Sequence, residues 1–140
     1  MSALPSHEQF HQARSACIDG FAGIEHAIIE LLAQTGTTCR AEQLGQKIDL
    51  LRKAKASPQY SRIKRSEVLR LLDDIQPLVP IRNDLVHAPL QIAEIDGMLV
   101  AIFVNPHNGS LVGKIARLLT QKQLSQLALR LEKLVDDLGA

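Results

Sequence analysis

Leu78-Val79-Pro80-Ile81-Arg82-Asn83-Asp84-Leu85-Val86-His87-Ala88-Pro89 is the stretch at which the hydrophobic pattern of the chain changes period. Pro80 fixes its own φ and has no N–H to lose in a first helical turn, so it suits the start of a short helix. Pro89 pushes Ala88 out of helical geometry. The helix between the two prolines therefore holds Arg82 to His87 and little else. Upstream of it the apolar spacing is helical; downstream it alternates.

Working upstream, Ser6 and Gln9 have the form of a capping box. They open a segment in which Phe10, Ala13, Cys17, Phe21, Ile24, Ile28, Leu31 and Leu32 recur at helical steps, with Gly36 as a natural stop. A second helix is expected over about Arg40 to Ala54, with Leu44, Ile48 and Leu51 inward and Ser57-Pro58 breaking it. A third carries Val68, Leu71, Leu72, Ile75 and Leu78, kinked or ended by Pro77. Working downstream, Gln91 to Ile95 and Met98 to Val104 read as strands joined by Asp96-Gly97, a two-residue hairpin signal. Asn108-Gly109 marks another turn, and Leu111 to Leu119 is read as a third strand. Thr120 with Gln123 repeats the capping box. It starts a C-terminal helix striped by Leu124, Leu127, Leu131, Leu134 and Leu138 and ended by Gly139. The expectation is one mainly α domain over residues 1–140, a bundle of four to five helices. A small antiparallel β-hairpin or meander is inserted before its last helix.

The 140 residues suffice to bury roughly two thirds of the unfolded-chain surface. An apolar fraction of 46% with 22% charged residues excludes a disordered chain. No apolar run approaches the roughly 20 residues that span a bilayer, so no membrane partner is expected. Met1 to His11 lacks a basic then apolar signal segment, which makes the cytoplasm the default location. Cys17 and Cys39 form neither a metal-ligand pair nor a disulfide framework, and Cys17 on the apolar stripe reads as a core residue. The net charge of +1 hides an asymmetry: Arg40 to Arg70 carries nine Lys/Arg against three acids, and the rest is net −5. Arg52, Lys53, Lys55, Lys64 and Arg65, with Arg62, lie around the expected connection of the second and third helices. They suit phosphate neutralisation, as in RNA binding, or simply a solvated connection.

On a helical wheel, Leu78, Ile81 and Leu85 share the side facing the chain's own core. Val79 and Val86 fall nearly opposite, flanked by Arg82 on one side and by Asn83 and His87 on the other. That second apolar side suggests a partner surface. The polar residues carry a coherent chemistry. Arginine keeps its charge and can fork onto a phosphate. Histidine exchanges protons near neutrality, with a 2′-hydroxyl or a leaving oxygen for instance. Asn83, one turn from His87, can orient the imidazole or the substrate. Such a set can cleave RNA without a metal, by attack of its own 2′-oxygen on the adjacent phosphate. Read as structure alone, Arg82 is a surface cation and His87 a cap at the helix C-terminus.

Leu78 to His87 resembles the motif of the HEPN superfamily: Arg, four to six residues, then His, commonly with a polar residue after the Arg. The resemblance implies a helical bundle of about this length that dimerises and brings two motifs into one cleft. It implies metal-independent endoribonuclease activity of toxin-antitoxin or defence type, with Arg82 and His87 catalytic and Asn83 supporting. It also allows a catalytically silent relative that serves as an adaptor for a nucleotidyltransferase or another protein. Two features depart from the pattern. His87 is followed by Ala88-Pro89, so the tyrosine two positions after the His in one toxin branch is missing. The β insertion is an addition to a plain bundle.

Other histidines carry less. His7 and His11 lie four apart with no third ligand in view, so no metal is expected. His26 lies off the apolar stripe beside Glu25, and His107 reads as a loop residue. No phosphate loop, dinucleotide fingerprint or nucleophile elbow is present, and no cofactor is expected. With only Phe10, Phe21, Phe103 and Tyr60 as aromatics, bound RNA would be held by its phosphates rather than by base stacking.

Overall fold

The structure is a computed structural model describing residues 6–41, 43–110 and 113–140, the side chains of 107–110 and 113–115 excepted. Residues 1–5, which begin the Met1 to His11 segment, lie outside it, as do 111–112, the first two of the expected third strand. Helix α1 (His7–Gln34) starts at Ser6, whose side chain accepts from the Gln9 N–H while the Gln9 side chain accepts from the Ser6 N–H. Its buried residues are Phe10, Ala13, Cys17, Phe21, Ile24, Ile28, Leu31 and Leu32, the stripe read from the sequence. Gly36, at φ +78°, turns the chain away after the last turn.

Helix α2 (Leu44–Lys53) begins later than the expected Arg40. It starts where a cap is available, the Gln46 side chain accepting from the Gln43 N–H. Helix α3 (Arg62–Ile75) is capped by Ser61 and runs into a 3₁₀ turn at Gln76–Leu78, where Pro77 cannot continue the α ladder. Helix α4 (Val79–His87) has Pro80 in its first turn, and Ala88 leaves it in extended geometry with ψ 140°. Each proline acts as its missing N–H and fixed ring dictate.

Strands β1 (Gln91–Ile95), β2 (Met98–Ser110) and β3 (Gly113–Leu119) form an antiparallel sheet in the order β1-β2-β3. Ile95 pairs with Met98 across Asp96 and Gly97, both at positive φ (53° and 77°), as a tight I′ turn requires. The expected turn at Asn108-Gly109 is corrected. Gly109 pairs with Lys114 and Ser110 with Gly113, so the chain is still in β2 there, and His107 lies in that strand rather than in a loop. The register shifts between Val104 and Gly109, around Pro106, which has no N–H to give a ladder. The Asn-Gly signal marks the end of an irregular stretch of strand.

Helix α5 (Gln121–Gly139), opened by the Thr120–Gln123 capping box, packs along α1. Gly20 permits the close approach, since a Cβ there would lie 2.8 Å from Leu131 Cβ. One core joins α1, α2, α3, Leu85 of α4, Ala101 and Phe103 of β2, and α5. Burying each large apolar side chain contributes roughly 1.5–3 kcal/mol, so this shared core is what fixes α4 against the rest. The fold is the expected mainly helical bundle with a β insertion before the last helix. Among the described residues no helix is long and apolar enough to cross a membrane.

Candidate functional site at the motif helix

Helix α4 is anchored at its end and along one flank. Arg14 of α1 donates through Nε (3.0 Å) and Nη2 (2.8 Å) to the Leu85 carbonyl, and through Nη2 to the Ala88 carbonyl at 3.1 Å. These bonds satisfy carbonyls that the helix terminus leaves open. On the flank, Asp84 is buried among partners. Arg117 Nε of β3 donates to its Oδ2 at 2.7 Å, and Asn105 Nδ2 of β2 donates to its Oδ1 at 3.1 Å. The β insertion thus docks on the motif helix through a short, charge-assisted contact.

That docking closes one wall of a cavity of about 520 Å³, lined by Gln43, Pro80, Arg82, Asn83, Asp84, His87 and Asn105. Arg82, Asn83 and His87 therefore meet in one concave space. Arg82 Nη2 lies 3.3 Å from Glu25 Oε1 of α1, and its Nη1 donates to Asn83 Oδ1 at 3.4 Å. The other Glu25 oxygen lies 3.5 Å from Lys47 Nζ of α2, and Lys47 is buried. Asn83 is half-buried, and His87, the last residue of α4, is exposed. The arrangement offers a largely covered cation beside an exposed proton-exchanging ring.

The remaining expected residues are distributed as follows. Val86 is exposed, whereas Val79 is half-buried against the chain's own core beside Gly45 of α2. Part of the second apolar side is thus used within the chain. None of Arg52, Lys53, Lys55, Lys64 and Arg65 lines the motif cavity. Arg52 pairs with Asp73 at 2.8 Å, Lys64 Nζ donates to Gln34 Oε1, and Arg65 donates to the Ala54 and Arg52 carbonyls. Lys53 and Lys55 are exposed. His26 is exposed and pairs with Glu30, while its neighbour Glu25 is the residue that reaches the motif.

The sequence reading missed Arg14, Glu25, Lys47, Asp84, Asn105 and Arg117. One of these had a usable signal: Asn105 continues the inward alternation of Ala101 and Phe103, a polar residue at a core-facing position. Arg14, Glu25 and Lys47 merely adjoin buried residues on their helices. Comparison with protein-family models, with curated proteins and with solved structures finds no match for this chain.

Proposed function

We propose that this protein is a metal-independent endoribonuclease of the HEPN kind, of toxin or defence type. The observation that carries the reading is the convergence of Arg82, Asn83 and His87 on one cavity. In the reaction, the RNA 2′-oxygen attacks the adjacent phosphorus as its proton passes to a base. The bond from phosphorus to the 5′-oxygen breaks, and that oxygen takes a proton from an acid. Products are a 2′,3′-cyclic phosphate and a 5′-hydroxyl. Arg82 stabilises the charge on the non-bridging oxygens. His87 moves one of the two protons, and the His87 of a second copy supplies the other in a composite homodimer cleft. RNA outside the cavity is held by its phosphates at the exposed Lys53 and Lys55, with Arg52, Lys64 and Arg65 supporting that surface.

A second reading, a silent adaptor for a nucleotidyltransferase, an antitoxin or another protein partner, is favoured by one observation. The side of the sheet away from the core exposes Ile95, Met98 and Leu118, an apolar surface of the sort partners cover. Incubation of the purified protein with single-stranded RNA in EDTA separates the two. Cleavage that leaves 2′,3′-cyclic ends, and that stops when the scissile sugar is 2′-deoxy, supports the nuclease. An intact RNA supports the adaptor.

A further inference from the structure

The motif helix makes two carboxylate contacts of different quality. Asp84 is held tightly, with Arg117 at 2.7 Å and Asn105 at 3.1 Å. Glu25 is held loosely. Its oxygens lie 3.3 Å from Arg82 and 3.5 Å from Lys47, both beyond the 2.7–2.9 Å of a charge-assisted hydrogen bond. Glu25 Oε1 is buried and accepts no hydrogen bond. The carboxylate is thus attracted to Arg82 by charge without directional bonding. It is shared between two cations that belong to different helices.

We propose that Glu25 is a resident competitor for an oxyanion at Arg82, with Lys47 as the cation that retains it when Arg82 is taken. The ligand class is a phosphate or phosphodiester, entering the cavity that Arg82 lines. In the free protein Glu25 keeps the largely covered Arg82 guanidinium paired. An incoming phosphate binds Arg82 through donors that the loose contact leaves available. Glu25 remains beside Lys47, so the carboxylate is not stranded as an unpaired buried charge. The proposal deepens the nuclease reading for RNA, but its core concerns any oxyanion at Arg82.

The test uses inorganic phosphate, followed by the Nε–Hε resonance of Arg82, which is assigned by its loss in Arg82→Lys. Glu25→Gln removes a like charge that lies on the same guanidinium as the bound anion and should tighten phosphate binding about 5- to 30-fold at low salt. Lys47→Met leaves Glu25 with Arg82 as its one charged partner of the pair and should weaken binding. Opposite signs from two changes in one cluster cannot come from a general loss of structure. Unchanged or weaker binding in a folded Glu25→Gln protein overturns the proposal. So does an Arg82 resonance that phosphate shifts in neither wild type nor variant. If circular dichroism shows Glu25→Gln unfolded, Lys47→Met decides: weaker binding supports the proposal, and unchanged or tighter binding overturns it. A wild type that cuts no RNA while Glu25→Gln tightens phosphate binding removes the nuclease reading and leaves this one standing.

Discussion

Arg82 and His87 face different surroundings, so their losses should differ in kind. His87 sits exposed at the end of α4, while Arg82 is largely covered, its side chain 20% exposed beside Glu25. His87→Ala should lower single-turnover cleavage by about 10²- to 10⁴-fold and leave RNA affinity nearly unchanged. Arg82→Ala should lower turnover and weaken binding together, since in the proposed mechanism it serves both the ground-state phosphate and the transition state. Asn83→Ala should be milder than either. A His87→Ala protein that still cuts at the wild-type rate removes that residue from the mechanism. Cys17 gives a residue-scale prediction about stability. Burial pushes its thiol from 9.0 up to about 11, against a smaller lowering from the Ala128 backbone, and burial also raises Tyr60. A raised thiol keeps its proton in the folded state after the unfolded chain has lost it. Its contribution is therefore full below pH 9 and falls away as pH rises toward 11, by on the order of 2 to 3 kcal/mol in all. Urea denaturation of wild type should weaken from about pH 9, and Cys17→Ala should begin its decline later, where Tyr60 starts to matter. Identical pH profiles for the two proteins would count against this account.

Elements were legible wherever the information is local. The Ser6–Gln9 and Thr120–Gln123 capping boxes, the α1 stripe, the breaks at Pro77 and Pro89 and the Asp96-Gly97 turn all act within a few residues of themselves. Asn108-Gly109 misled because the same dipeptide suits a hairpin turn and an irregular strand, and only the pairing of Gly109 with Lys114 separates the two. The α1–α5 contact was illegible for a related reason: Gly20 inside a helical pattern reads as a weak spot. Its place opposite Leu131 shows that it is a point of close approach. Gly20→Ala should accordingly destabilise the protein by roughly 1–3 kcal/mol through overpacking. That is opposite in sign to the gain of about 1 kcal/mol that the better helix former would bring at an unobstructed site. The clash is with Leu131 Cβ, which cannot swing aside without moving α5. A urea midpoint at or above that of wild type would show that the two helices can part without cost.

At the scale of the whole molecule, the short helix between the two prolines was legible and its setting was not. Arg82, Asn83 and His87 lie close together on that one helix, whereas Arg14 meets Leu85, Glu25 meets Arg82 and Arg117 meets Asp84 across long stretches of chain. No local pattern encodes which charged residue on the margin of α1 faces α4 and which faces solvent, as the neighbours Glu25 and His26 illustrate. The proposed composite cleft would add one more long-range requirement, a second copy. Val79, one of the two valines expected on a partner surface, is partly used by the chain's own fold, since it packs beside Gly45. Val86 is 38% exposed on the same helix as His87, and in the proposed dimer it is the residue that would meet the partner's motif helix. Placing a charge there should expose the interface without disturbing the core, because the apolar residue that α4 buries in the core is Leu85. Val86→Asp should therefore sediment as a monomer with an unchanged urea midpoint for its residual fold. It should also lose RNA cleavage, since each monomer would hold a single His87 for two proton transfers. Mixing it with an excess of Val86→Lys protein should restore dimers and activity together, opposite charges now meeting across the axis. If Val86→Asp remains a dimer of wild-type affinity, the two motif helices do not face each other and the cleft is formed within one chain.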